Sequence, residues 1–281
     1  MPAPDRLPPL REAVALGILH GPAELLPISS SGHVALVPWL LDWRYTELDP
    51  ELRKSFEVAL HAGTAAALLI TLRVEVAEAF GDMSPRLLAL IALSFIPPAA
   101  IGYRCERPIE EHLGTPVTIA AGLLAGSAFM AWADRAPQAR GRDQAGFLDA
   151  LLLGLAQACA LIPGVSRNGA TLAAARSRGF TREEANRLSR HVALPIIAGA
   201  TLLKGVRLRR RGLTAGTGVP FAAGAAGSFV STLGSTWLIR QVERDRSLLP
   251  YAAYRAALAA VVLRRLASSR ANAHGPADRG Q

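Results

Sequence analysis

The chain has 281 residues, of which 51% are hydrophobic and only 19% charged. This composition excludes an ordinary soluble domain, because the chain repeats apolar runs near the roughly twenty residues that cross a bilayer. The formal charge of +9 is nearly all arginine. Without an aromatic-interleaved basic patch, that points to loops facing anionic lipid and away from nucleic acid.

In chain order, the start "MPAPDRLPPLREAV" lacks a basic n-region before a clean apolar stretch, so no cleaved signal peptide is expected. The region 8–43 is apolar but broken in its middle by "ELLPISSSGH". Pro27 forces the residue before it out of helical geometry, and the serines that follow suit a new helix start. Single spans are expected near 55–73, 86–104 and 116–133, and polar loops follow them. A second broken region, 147–177, reads helix, "LIPGVSRNGAT", helix. Further spans are expected near 184–205, 217–240 and 250–266, and a polar, disordered tail over 267–281. Cys105 and Cys159 are read as small buried apolar groups. Pro97, Pro98 and Pro195 are expected to kink their spans, and Trp39, Trp43, Trp132 and Trp237 to anchor span ends at the interface.

The two halves resemble each other. "GILHGPAELLPISSSG" parallels "GLAQACALIPGVSRNG", and "EVALHAGTAAALL" parallels "HVALPIIAGATLL". Each half, 8–133 and 147–266, is therefore one re-entrant hairpin plus three spans, and an odd number of spans inverts the second copy. The fold expected is a single all-α polytopic membrane domain, an inverted-topology repeat of about six transmembrane helices and two re-entrant helical hairpins. In such a fold the broken helices meet near the midplane. A cytoplasmic arginine-rich loop at 207–211 would place both termini in the cytoplasm.

Glu24, Ser29, Ser30, Ser31 and His33 fall at the first break, and Ser166, Arg167, Asn168 and Thr171 at the second. Ionised groups in such places are costly unless they pair or face water. The bland reading is one structural ion pair with serine caps; the hydroxyls and the histidine exceed what capping needs. The chemical reading is a phosphate site: helix starts cradle anions, Arg167 offers a bidentate fork, and the hydroxyls add donors. Glu24 would hold a divalent cation, and His33 would move a proton or attack phosphorus itself.

The motifs "AELLPISSSGHVALVPWLL" and "LIPGVSRNGAT", with "FEVALHAGT" and "ALPIIAGATLL" in place, resemble the undecaprenyl-diphosphatase (bacitracin-resistance) family over about residues 10–265. The resemblance implies an enzyme of the bacterial plasma membrane. It would remove one phosphate from undecaprenyl diphosphate, the lipid carrier of cell-wall synthesis, with magnesium or calcium as cofactor. It also implies catalytic roles for Glu24, Ser30, His33 and Arg167, with Ser29, Ser31, Ser166, Asn168 and Thr171 around the phosphates. Whether Ser30 or His33 is the nucleophile stays open, as does a homodimeric state.

Four departures from the family pattern stand out. His20 replaces the usual Glu or Gln four residues before Glu24, and a histidine does not favour hard magnesium or calcium. Asn168 replaces a serine, His61 a glutamine, and Ser189, Arg190, His191 and Val192 a phenylalanine-containing stretch. His20, His61, Arg190 and His191 are candidate cavity residues: His20 as a ligand, proton shuttle or phosphate donor, and His61 and His191 more readily as hydrogen-bonded structural groups. A rival reading from another class is a carrier for a phosphorylated lipid or small anion, built on the same midplane anion site.

Overall fold

A computed structural model describes residues 7–73, 84–193, 199, 206, 218–244 and 247–273. Helix α1 (Leu10–Leu25) stops just before Pro27, and α2 (Ser30–Leu40) restarts behind an N-cap at Ser29, whose hydroxyl accepts from the Gly32 N–H at 3.3 Å. Helices α3 (Pro50–Thr71), α4 (Pro85–Leu113) and α5 (Pro116–Ala133) follow, each with proline in its first turn and an Asp, Ser or Thr cap, the sequence signature of a helix start. The pattern then repeats. Helix α6 (Phe147–Cys159) breaks at "ALIPGVS", and α7 (Arg167–Ser177) restarts behind a Ser166 cap. Helix α8 occupies 182–193, and α9 (Gly218–Gly234), α10 (Trp237–Arg244) and α11 (Leu249–Ala273) complete the described chain.

Every named element among the described residues is helical, as expected, with one isolated bridge between Arg140 and Phe180. Among the described residues two helices are long and apolar enough to cross a membrane on length and composition, Pro85–Cys105 and Pro116–Ala133. The other expected spans fall short of that standard for visible reasons. Helix α3 carries Glu51, Arg53, Lys54 and Glu57 in its first turns, α9 breaks from α10 at Ser235-Thr236, and α11 contains Arg255, Arg264 and Arg265. The end of span 184–205, Pro195 and the loop at 207–211 lie outside the described residues. Helix α4 leaves Leu88, Phe95 and Ile96 exposed, an outer surface suited to lipid.

Two expectations are corrected. Residues 267–273, expected to be disordered, continue α11; the alanines favour helix, and the Ser268 and Ser269 hydroxyls bond back to the carbonyls of Arg264 and Arg265 at 3.1 and 3.0 Å. Cys159 is exposed and Cys105 half-buried; Ala156, Gln157 and Ala158 beside Cys159 are buried, so Cys159 lies on the outward side of the last turn of α6.

The packing is reciprocal. Helix α1 lies along α9 and α6 lies along α4, so the first helix of each broken pair rests on a long helix of the other half; α5 lies along α11. Close approach depends on small residues. A Cβ on Gly17 would stand 2.9 Å from the Ser228 nitrogen, and one on Gly21 would stand 2.8 Å from the Ser231 carbonyl carbon, both on α9 backbone. Gly21→Ala should therefore push α1 off α9 and destabilise the protein by about 1–3 kcal/mol. Thermal melting in detergent checks this beside Gly234→Ala, where a Cβ meets nothing within 4 Å and no loss is expected.

Polar loops tie the ends of these helices. Asp149 accepts from Arg140 at 2.8 Å, from Arg178 at 2.7 Å and from the Gly146 N–H at 2.9 Å. At the end of α5, partial burial works against ionisation of Asp134. Hydrogen bonds from Ser247, Arg182 and the Leu248 N–H outweigh it and hold the carboxyl below its ordinary range.

Candidate functional site

The two breaks meet. Glu24, on the last turn of α1, receives the Ser30 hydroxyl on Oε2 and the Arg167 guanidinium on Oε1 at 3.1 Å. Three expected site residues therefore converge on one carboxylate, each delivered by a helix end: α1 brings the acid, the start of α2 the hydroxyl, the start of α7 the arginine. Ser29, the cap that aims Ser30, adopts φ +78°, in the left-handed region where a non-glycine residue is strained.

His33 does not join this cluster directly. Its Nδ1 bonds the Ser29 carbonyl at 2.7 Å and therefore carries the proton, while its Nε2 accepts from the Tyr254 hydroxyl at 2.8 Å. The two rings are stacked, with centroids 5.6 Å apart. The histidine thus holds the strained Ser29 peptide, and no hydrogen bond joins it to Ser30.

The remaining expected phosphate ligands are partly occupied within the protein. The Ser166 hydroxyl caps α7 by accepting from the Gly169 N–H at 3.1 Å, and Thr171 is fully buried with its hydroxyl 2.6 Å from Ser189 Oγ. Asn168 donates to the Leu25 carbonyl at 3.2 Å, which ties the start of α7 to the end of α1. Ser31 is half-buried, with its hydroxyl 3.5 Å from that of Ser29.

An open cleft reaches this cluster. Glu24, Arg167, Asn168, Asn186, Ser189 and Arg190 form its polar side, and Leu68, Leu72, Ile239 and Val242 its apolar side. Arg190 lines this cleft, and His191 is not among its walls.

His20 and His61 lie beside Glu24, and His61 approaches Oε2, the oxygen that Ser30 also bonds. They lie edge to face with ring centroids 4.5 Å apart, and His61 Nε2 is 3.9 Å from Glu24 Oε2. One ligand atom from each of His20, Glu24 and His61 falls within 4.8 Å of the others, so the three could hold a metal ion. His61, read from sequence as a hydrogen-bonded group and a candidate cavity residue, bonds the Glu57 carbonyl at 2.8 Å and neighbours the acid.

Sequence reasoning also missed Tyr254 and Arg255. Arg255 is completely buried, and its guanidinium reaches carbonyls of both breaks, Gly164 at 3.1 Å and Pro27 at 3.4 Å. It also reaches the Gly122 carbonyl at 3.4 Å and the Met130 sulfur at 3.5 Å. The available signal was a charged residue in the middle of an expected span.

These features define a helical membrane protein whose paired helix breaks present an acid and an arginine at one cleft, with a serine bonded to the acid. The model of the bacitracin resistance protein BacA family matches residues 13–261, and the chain belongs to that family. An undecaprenyl-diphosphatase of Geobacter sulfurreducens is 44% identical over 268 residues, covering 90% of this chain and 97% of the relative. One from Geobacter metallireducens is 38% identical, covering 89% and 96%. One from Pelotomaculum thermopropionicum is 37% identical, covering 90% and 96%.

Proposed function

We propose that this protein hydrolyses undecaprenyl diphosphate to undecaprenyl phosphate and inorganic phosphate, as a multi-pass enzyme of the bacterial plasma membrane. The observation that carries the reading is the convergence of Ser30 and Arg167 on Glu24. A carrier needs an anion cradle but no hydroxyl bonded to a carboxylate, so the transport reading is not favoured.

In this mechanism the terminal phosphoryl group enters the cleft between Arg167 and the starts of α2 and α7, where positive helix ends and a fork of N–H donors face its oxygens. The prenyl chain lies along the apolar wall of Leu68, Leu72, Ile239 and Val242. Ser30 Oγ attacks phosphorus while Glu24 takes its proton, and the anhydride bond breaks to release undecaprenyl phosphate. Glu24 gives that proton to the departing undecaprenyl phosphate, then takes one from the water that hydrolyses the phosphoserine and returns it to Ser30 Oγ as inorganic phosphate leaves. Of the two nucleophiles the sequence leaves open, Ser30 is favoured because its hydroxyl is the one bonded to a base. His33 is a positioning residue that fixes the Ser29 peptide in the conformation that aims Ser30.

The donor set beside Glu24 suits a divalent cation, because His20 Nε2 is buried with no partner among the described residues and faces a histidine and a carboxylate. Bound at Glu24, His20 and His61, a cation would supply charge neutralisation for phosphoryl oxygens.

Phosphate release from undecaprenyl diphosphate by purified protein tests the reading. Ser30→Ala should lower turnover by roughly 10³-fold or more, the scale of removing an activated nucleophile. Turnover that persists in a well-folded Ser30→Ala would remove the serine from the reaction. Absence of release from wild-type protein that still binds the lipid would restore the carrier.

A further inference from the structure

The hydrogen bonds around His20 and His61 favour the Nδ1–H form of each ring. His61 Nδ1 lies 2.8 Å from the Glu57 carbonyl, which can only accept, so the proton is on Nδ1 and Nε2 turns a lone pair toward Glu24. His20 Nδ1 meets two hydroxyls, those of Thr64 and Ser228. Ser228 donates its single proton to the Leu60 carbonyl at 2.9 Å. With that proton committed, Thr64 donates to Ser228 at 2.7 Å, and both hydroxyl oxygens are left to accept from His20 Nδ1, at 2.9 and 3.2 Å. His20 is also an Nδ1–H ring, and its Nε2 lone pair is the fully buried atom without a partner.

With both rings neutral, two imidazole lone pairs and a carboxylate face one another, one ligand atom from each within 4.8 Å of the others. Three convergent acceptors repel unless a cation sits between them. The outer partners, Thr64 and the Glu57 carbonyl, hold each ring with Nε2 inward, as such groups do around metal-ligating histidines. His20 and Glu24 are four residues apart on one face of α1, and His61 comes from α3, so the three ligands sit on one side and leave the rest of the shell open.

We infer that this site takes a first-row transition dication of the zinc or cobalt class, in preference to magnesium or calcium. The ground is ligand chemistry: magnesium and calcium require shells of oxygen, while two imidazoles and one carboxylate favour borderline metals and leave positions for substrate oxygens. The inference rests on the phosphatase reading only for what the metal serves; binding itself is independent of it.

The test uses full-length protein purified without an oligohistidine tag, stripped with chelator and titrated with Co²⁺ alone. One equivalent per chain should bind and give visible d–d absorption that a hundredfold excess of Mg²⁺ or Ca²⁺ leaves unchanged. His61→Gln, at a half-buried position where folding is not at stake, should lose these bands, and His20→Gln should do the same. Phosphate release, measured in parallel, should be supported by Co²⁺ or Zn²⁺ in wild-type protein and shift toward a Mg²⁺ or Ca²⁺ requirement in the variants. Absence of Co²⁺ absorption, displacement by equimolar Mg²⁺, or bands that survive His61→Gln would each overturn the inference. Histidine-dependent Co²⁺ binding without phosphate release would uphold the metal site and defeat the phosphatase reading instead.

Discussion

Arg167→Lys loses about 10²-fold or more of phosphate release while the protein melts near the wild-type temperature. The guanidinium bonds Glu24 Oε1 at 3.1 Å with one nitrogen, and its planar fork leaves further N–H groups for phosphoryl oxygens. A lysine retains the positive charge and sits in the same half-buried place, so stability changes little. It offers a point charge where the transition state spreads charge over three oxygens, and a shorter reach to the acid. The loss should appear in kcat more than in KM, because charge on the transferring group is greatest in the transition state. Turnover within a few-fold of wild type would show that the arginine is no more than a counter-ion for Glu24.

Arg255→Leu should lower stability by about 2–4 kcal/mol and abolish most activity. Its guanidinium is the partner of the Pro27 and Gly164 carbonyls, and a buried carbonyl left unpaired costs about 1–3 kcal/mol. Relief of the buried charge offsets part of that cost, since no carboxylate among the described residues faces the guanidinium. Its place is built by absence elsewhere: a Cβ on Gly126 would lie 2.9 Å from Arg255 Cζ, and one on Gly169 would lie 3.0 Å from Nη1. Activity falls because the two breaks lose their shared clamp, and with it the alignment of Ser30 and Arg167. Melting temperature and phosphate release in detergent check both effects, beside Arg255→Lys, whose single ammonium cannot bridge the two carbonyls. A leucine variant as stable and active as wild type would show that the breaks hold their geometry without the clamp.

The breaks themselves were legible in the sequence because proline, glycine and serine inside apolar runs have few other uses. Glu24, Ser30 and Arg167 followed from the cost of charge at such depth. The partner of His33 was not legible: Tyr254 lies 221 residues away, and only the packing of α11 brings it to the imidazole. The approach of His61 to Glu24 depended on the register of α1 and α3. That register is set by glycine-scale contacts with α9 that the apolar pattern does not encode. Cys159 was misjudged because a small apolar residue at a helix end can face outward, which composition does not reveal.

The reciprocal packing bears on how the chain is made. When α1 leaves the ribosome, the helix it rests on lies about two hundred residues downstream, and the arginine that neutralises Glu24 follows the acid by 143 residues. The first hairpin must therefore wait, its carboxylate near the headgroups or a translocation partner, until the second half has been synthesised. Arg255 arrives last and reaches back 228 residues to the Pro27 carbonyl. The catalytic centre of this protein is consequently a late product of synthesis, and a chain truncated before its final helix would carry all the proposed catalytic groups and still be unable to assemble them.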